Sequence, residues 1–242
     1  MSRVSLRMLA AASRPPQLER IPGEGWWFNH LASERVVAGI TDRETDRSRF
    51  LGRVKVAATV IEATQVHGGS VAVIERADVP SPIPGCDALL TSVPGIALLI
   101  RTADCLPIFF ADPGRGVIGI AHAGWRGLSA ALPARVVAAF RRAFHSQAEE
   151  LQVVIGPAVH SCCYDVGPEF AARFGPFVEH RQGRLVCDLI GVAKDQLRRS
   201  GIVPSRLTAV RHCTGCEVER WFSVRREGEA TGRLTSLIML RP

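Results

Sequence analysis

The stretch LPIFFADPGRGVIGIAHAGWRGL, residues 106–128, decides how the chain folds. Two apolar runs, LPIFF (106–110) and VIGIA (117–121), flank ADPGRG (111–116). Short β-branched and aromatic runs bounded by turn formers read as strands, and Asp, Pro and Gly between them reverse the chain tightly. The pair is expected as an antiparallel hairpin. Such a hairpin brings Cys105, just before the first run, next to His122, just after the second. Behind His122, residues 128–144 (LSAALPARVVAAFRRAF) repeat apolar side chains with helical spacing, and Pro133 either bends the first turns or marks a fresh start. HAGWRG (122–127) is then a strand-to-helix turn, where free backbone N–H groups and the helix dipole favour an anion. Gly124 and Gly127 would let the backbone approach that anion, and Arg126 would grip it bidentately. On the alternative reading the glycines only make the turn and Trp125 plugs the core. The GxxxxGK[ST] spacing of a phosphate-binding P-loop is absent.

Outward from the hairpin, further strand-like runs recur: VKVAATVIEA (54–63), SVAVIE (70–75), DALLT (87–91), IALLIR (96–101), LQVVIG (151–156), LTAV (207–210) and LTSLIML (234–240). A second helix is expected over 188–201, capped by Asp188, with Ile190, Ala193 and Leu197 on one face and Gly201 as its stop. Strands outnumber helices, and no internal repeat or low-complexity tract occurs. The first fifty residues are rich in Arg and Pro with weak periodicity, so residues 1–35 are expected as a partly ordered arm before a single α+β domain over 36–242.

The 242 residues, 47% hydrophobic and 22% charged, suffice for one sizeable core. No apolar run approaches the roughly 18 residues of a membrane span, and MSRVSLRMLAAASRPPQ (1–17) has too short an apolar centre for a signal peptide, so a cytoplasmic protein is expected. Seven scattered cysteines, an odd number, suit reduced thiols better than a disulfide framework. A net charge of +7 suits nucleic acid or an anionic small substrate, but no stretch combines clustered basic residues with interleaved aromatics, and no nucleic-acid partner is expected. Only Lys55 and Lys194 among the thirty basic residues are lysines, and arginine's planar fork favours bidentate phosphate or carboxylate contacts.

His67 in TQVHGG (64–69), Cys105 in TADCLP (102–107) and His122 form a possible His, Cys, His set. Three protein ligands with an open fourth position describe a catalytic zinc, whereas structural zinc is usually closed by four. Pro107 holds Leu106 in extended geometry beside Cys105. Asp104 can orient a histidine, accept a proton, or cap a turn. A rival site is HCTGC (212–216), whose Cys213 and Cys216 can join Cys162 or Cys163 of HSCCYDVG (160–167) in a structural zinc or a redox pair, against a default of buried or incidental thiols. Arg225 and Arg226 read as solvated charges, in preference to the alternative that they reach an anionic substrate from a late strand.

TQVHG, CDALLT, TADCLPI, AHAGWRGL, IGPAV, CYDVG, CTG and FSVRREGEATGR, in that order from about Val36 to the C-terminus, resemble the laccase-domain family. That family is also named multicopper polyphenol oxidase or purine nucleoside phosphorylase family, and TADCLP with HAGWRG is a highly specific pair. The resemblance implies a layered sandwich of mixed β-sheets flanked by helices, with metal ligands at His67, Cys105 and His122. It also implies phosphorolysis of adenosine, inosine and methylthioadenosine with adenosine deaminase activity, purine nucleosides and phosphate being the partners. Older descriptions call such proteins copper oxidases, and some bacterial members are named peptidoglycan editing factors. The chain departs from the pattern in VVAGITDRETDRSRFLG (36–52), which lacks the usual Asn-Leu-Gly and in which Arg43 stands for the motif's arginine as an anion contact. It departs again at Val224, where tyrosine is usual, and at the extra Cys216.

The leading expectation is therefore a zinc enzyme of purine nucleosides, with Cys105, Asp104, His122 and Arg126 at the reaction centre and Gly124, Arg126, Gly127 and Arg43 holding the anion. A metal-free hydrolase with Cys105 as nucleophile and His122 as base uses the same residues, and peptidoglycan-precursor editing is a further alternative. Copper is the weaker choice of metal, because seven histidines stand singly with no His-x-His pair. A non-enzymatic, arginine-rich binding module is the remaining class.

Overall fold

The computed structural model describes residues 16–29, 31, 34–55 and 59–242. In chain order they form β1 (Gln17–Ile21), β2 (Gly25–Asn29), β3 (Val36–Ile40), helix α1 (Arg47–Lys55), β4 (Thr59–Thr64), β5 (Val71–Ile74), β6 (Ile83–Pro84), β7 (Ala88–Thr91) and β8 (Ile96–Thr102). Then follow β9 (Leu106–Asp112), β10 (Val117–Ala123), α2 (Trp125–Ser129), α3 (Leu132–Phe144), β11 (Gln152–Ile155) and α4 (Glu169–Phe174). The chain ends through β12 (Val178–Arg181), β13 (Arg184–Cys187), α5 (Leu189–Arg199), β14 (Leu207–Ala209), α6 (Val224–Glu227) and β15 (Leu234–Leu240).

A seven-stranded sheet in the order β1-β2-β3-β15-β8-β4-β6 faces a six-stranded sheet in the order β14-β11-β9-β10-β7-β5. Period-two alternation sorts each strand between two cores. On β9 and β10, Phe109, Ile118 and Ile120 point between the sheets toward Leu98, Ile100 and Ile238 of the larger one. Phe110, Val117 and Ala121 point the other way, under Val136 and Phe140 of α3 and Ala193 and Leu197 of α5. Gly119 is needed on that face, because a Cβ there would meet the Phe140 ring at 3.0 Å. The outer face of the larger sheet is covered by Phe50 and Val54 of α1 against Trp27, Leu99 and Leu237. The result is the expected α+β sandwich, four layers deep.

The expected hairpin forms, with Ala121 opposite Ile108 and His122 opposite Pro107. Pro133 marks a fresh start: α2 ends at Ser129 and α3 begins at Leu132 with the proline in its first turn. Asp188 caps α5, accepting from the Gly191 N–H at 2.9 Å.

Three expectations are corrected. Residues 1–15 of the expected arm lie outside the described residues, but 17–29 are β1 and β2 of the larger sheet, with Trp26, Trp27 and Phe28 all buried. Three consecutive aromatics bury on both faces, so the segment shows no alternation; Gly39 opposite Trp27 makes room, since a Cβ there would lie 2.7 Å from the indole. Val54 belongs to α1 rather than to a strand, and its run becomes β only at Thr59. Val224–Glu227 is a short helix, not a late strand.

Candidate active site

One end of the sandwich gathers the ligand set. Strand β9 runs antiparallel to β10, as does β7, while β4 runs parallel to β8. The end of β4, the bend between β8 and β9, the end of β10 and the start of β7 therefore meet. His67 follows β4, Cys105 occupies the bend, and His122 is the next-to-last residue of β10. Their ligand atoms all lie within 4.8 Å of one another, and the two imidazoles meet edge to face with centroids 4.7 Å apart. His67 adopts φ +58° and Asp104 φ +84°. Left-handed backbone at residues other than glycine costs about 1–3 kcal/mol and persists only where surrounding contacts enforce it.

Asp87, immediately before β7, enforces it at His67. Its carboxylate accepts the N–H groups of Val66, His67 and Gly68 at 3.3, 2.9 and 2.7 Å. The same carboxylate meets His122 Nδ1 at 2.9 Å, which leaves Nε2 as the ligating nitrogen. The motif CDALLT (86–91) contains Asp87, but nothing local marks it, and only strand pairing puts it beside His122. Burial pushes the Asp87 carboxyl up, yet hydrogen bonds from His122 and from the Gly68 N–H hold it below the usual carboxylate range. Burial likewise opposes ionisation of Cys105, but hydrogen bonds with His122 and His67 bring its thiol down to about 7. Burial disfavours the imidazolium of His122, and Asp87 and Cys105 overcome it, raising the group to about 9.

Gly124 and Gly127 have a steric task. A Cβ on Gly124 would lie 2.8 Å from Cys105 Sγ, and one on Gly127 would lie 3.2 Å from the Gly68 carbonyl. These glycines close the α2 turn onto the ligand loops. The α2 helix has only five residues, and these contacts give both glycines a steric reason apart from any anion.

The ligand set forms the floor of a cleft of about 630 Å³. Arg101, Arg126, Arg225 and Arg233 ring it, together with Gln65, Trp125, Tyr164 and Val224. Arg126 stacks over Trp125 at 4.7 Å and Arg225 over Tyr164 at 4.7 Å. Neither makes an ion pair among the described residues, whereas Arg101 pairs with Glu62 and Arg233 with Glu229. Burial raises the Tyr164 hydroxyl to about 12, so it stays a proton-bearing donor.

Other expected residues stand elsewhere. Arg43 lies outside the cleft: it donates to the Val218 and Trp221 carbonyls at 2.6 and 3.3 Å, pairs with Glu227 and stacks on Phe222. Nε and Nη2 of its fork tie α6 to the segment after β3, away from the cleft. Asp104 is buried with both oxygens engaged: Thr214 and Ser223 hydroxyls donate to Oδ1 at 2.6 and 2.7 Å, and the Arg225 N–H to Oδ2 at 2.7 Å. It knits the loops around Cys105, and the histidine-orienting role falls to Asp87. Arg225 and Arg226 are not idle solvated charges, since Arg225 lines the cleft and Arg226 donates to the Gly215 carbonyl at 2.7 Å.

One thiol and two imidazoles converge, one imidazole is held from behind by a carboxylate, and the remaining side opens into the cleft. This donor set and its vacancy fit a zinc ion.

The family model described as multi-copper polyphenol oxidoreductase laccase matches residues 41–241. Purine nucleoside phosphorylase YlmD of Geobacillus stearothermophilus is 32% identical over 190 residues, covering 72% of this chain and 69% of that protein. Adenosine deaminase RL5, from an unknown prokaryotic organism, is 30% identical over 185 residues, 70% of each chain. The crystal structure of YlmD superposes with a TM-score of 0.82 at 25% identity, over 94% of this chain and 100% of that one.

Proposed function

This chain belongs to the laccase-domain family of multi-copper polyphenol oxidoreductases, and from that premise we propose that it is a zinc-dependent purine nucleoside phosphorylase acting on adenosine, inosine and methylthioadenosine, with adenosine deaminase activity. The single observation that carries the reading is the convergence of His67, Cys105 and His122, backed by Asp87, on the floor of an arginine-ringed cleft. The names of the relatives, phosphorylase and deaminase, agree with it.

His67, Cys105 and His122 would hold a divalent ion, which when bound would supply Lewis acidity and lower the pKa of water. Asp87 fixes the His122 tautomer, and Gly124 keeps the Cys105 thiol in line. Arg126 and Arg225 present charged donors to phosphate oxygens and hold phosphate against the ribose. In phosphorolysis the phosphate oxygen bonds to C1′ as the glycosidic bond breaks and its electron pair leaves with the purine. The protonated Tyr164 hydroxyl and Gln65 offer donors to that departing base. No helix among the described residues is long and apolar enough to cross a membrane.

The test is a purine-nucleoside panel with and without phosphate, followed by mass spectrometry. Free base and ribose phosphate that appear only with phosphate support the proposal; no conversion of any nucleoside overturns it. A second reading, the metal-free Cys105–His122 hydrolase, draws on the lowered thiol and raised imidazole. Chelator that removes the metal and abolishes turnover excludes it.

A further inference from the structure

A second sulfur cluster lies away from the cleft. Strands β11 and β14 are parallel neighbours, so the loops after them run side by side, locked by a bridge between Ala158 and Cys213. The first loop carries Cys162 and Cys163, the second Cys213 and Cys216. Their four sulfurs all lie within 4.8 Å of one another. Sγ of Cys216 is 3.4 Å from both Cys162 and Cys163, and Cys162 is 3.6 Å from Cys213.

These separations distinguish three states. A disulfide needs about 2.05 Å between sulfurs. Thiols packing as plain apolar groups would spread over the interior rather than meet at one point. Four thiolates at about 2.3 Å from one tetrahedral zinc stand about 3.8 Å apart along each edge. The cluster is close to that last arrangement.

The surroundings are shaped for it. Gly215 lies inside the Cys213–Cys216 turn, where a Cβ would come within 2.7 Å of Cys163 Cβ and 3.1 Å of its sulfur. The Cys216 N–H donates to the Cys213 carbonyl at 3.2 Å, closing the turn into a knuckle. The His160 N–H donates to Cys213 Sγ at 3.4 Å. Arg226, fixed on the Gly215 carbonyl, reaches Cys163 Sγ at 3.6 Å. Four thiolates around a dication carry a net double negative charge, which such donors and a guanidinium offset.

We propose that Cys162, Cys163, Cys213 and Cys216 hold one structural zinc ion, distinct from the metal at His67, Cys105 and His122. Four protein ligands close the coordination sphere, so this ion takes no substrate. Its task is mechanical. Thr214, inside the knuckle, donates to Asp104, the residue before Cys105, and the Asp104 carbonyl accepts the Val159 N–H at 3.0 Å. The zinc pins two loops that hold the Cys105 bend. The proposal is independent of the reaction assigned to the cleft.

The test uses the full chain with His67→Ala and His122→Ala together, purified under reducing conditions without a metal-affinity step. Elemental analysis is expected to find about one zinc per chain, lost on adding Cys213→Ser or Cys216→Ser. Where those additions prevent folding, cobalt exchanged into the folded double variant gives the second readout: intense visible bands and sulfur-to-cobalt charge transfer of a tetrathiolate. A folded double variant that holds no metal and in which Cys162, Cys163, Cys213 and Cys216 are all alkylated as free thiols overturns the proposal, as does a disulfide mapped among these cysteines in freshly reduced protein.

Discussion

The two sulfur-bearing centres are built on opposite plans. His67, Cys105 and His122 offer mixed donors from three separate strand ends, face a cleft, and are tuned from behind by Asp87. Cys162, Cys163, Cys213 and Cys216 offer four like donors from two adjacent loops and have a guanidinium alongside. Three ligands leave room for a reactant; four leave none. Each centre also needs a glycine that lets the backbone pass a sulfur, Gly124 against Cys105 and Gly215 against Cys163. On the two proposals above, chemistry falls to the incomplete site, and the hydrogen bond from Thr214 to Asp104 links the four-thiol site to it.

The strongest way to break this contrast is His122→Ala. Losing a ligand to a catalytic metal forfeits several kcal/mol, so kcat/KM for nucleoside phosphorolysis should fall about a thousandfold or more while circular dichroism and the zinc on the four cysteines persist. Equal loss of both metals would erase the distinction.

Acid sharpens it next. In the metal-free centre, between pH about 7 and about 9, Cys105 is thiolate and His122 imidazolium, so ligation displaces the His122 proton. Each displaced proton makes apparent affinity fall about tenfold per pH unit lowered. Competition with a chromophoric chelator should therefore show roughly a hundredfold loss from pH 9 to 7 and a steeper loss below 7, where the Cys105 proton must leave as well. A flat profile over that range would contradict the Cys105–His122 pairing.

Asp87→Asn keeps the shape but weakens the acceptor behind His122. Metal affinity or turnover should drop about 10–100-fold, with the four-thiol zinc untouched. Arg126→Ala removes from the cleft a guanidinium that makes no ion pair among the described residues, and the phosphate KM should rise about tenfold at little cost to folding. The smallest effect expected is from Thr214→Val, which deletes the hydroxyl donor to buried Asp104. Unfolding free energy should fall by about 1–3 kcal/mol and turnover by a few-fold. An unchanged thermal midpoint would show that the two centres are not coupled through this bond.

How much of this was legible varies by element. Runs such as LPIFF, VIGIA and LTSLIML announced their strands because a strand's period and its turn residues are local properties. Trp26, Trp27 and Phe28 hid theirs, because burial on both faces removes the alternation. His67, Cys105 and His122 were visible as residues at the ends of runs. Asp87 was missed because its role exists only once β7 pairs with β10. Arg43 misled for the converse reason: its fork fits an anion, but two carbonyls and Glu227 hold it outside the cleft.

By itself, then, the sequence determined the central strands, the hairpin, an irregularity at Pro133 and the kinds of donor atoms present, since these follow from side-chain period, turn chemistry and ligand softness. Only the tertiary structure decided which donors meet, which carboxylate orients a ligand and which merely ties loops, and which arginines remain free for an anion. Those outcomes depend on strand order and on competition among distant groups for the same hydrogen bonds, and neither is written in any local stretch of the chain.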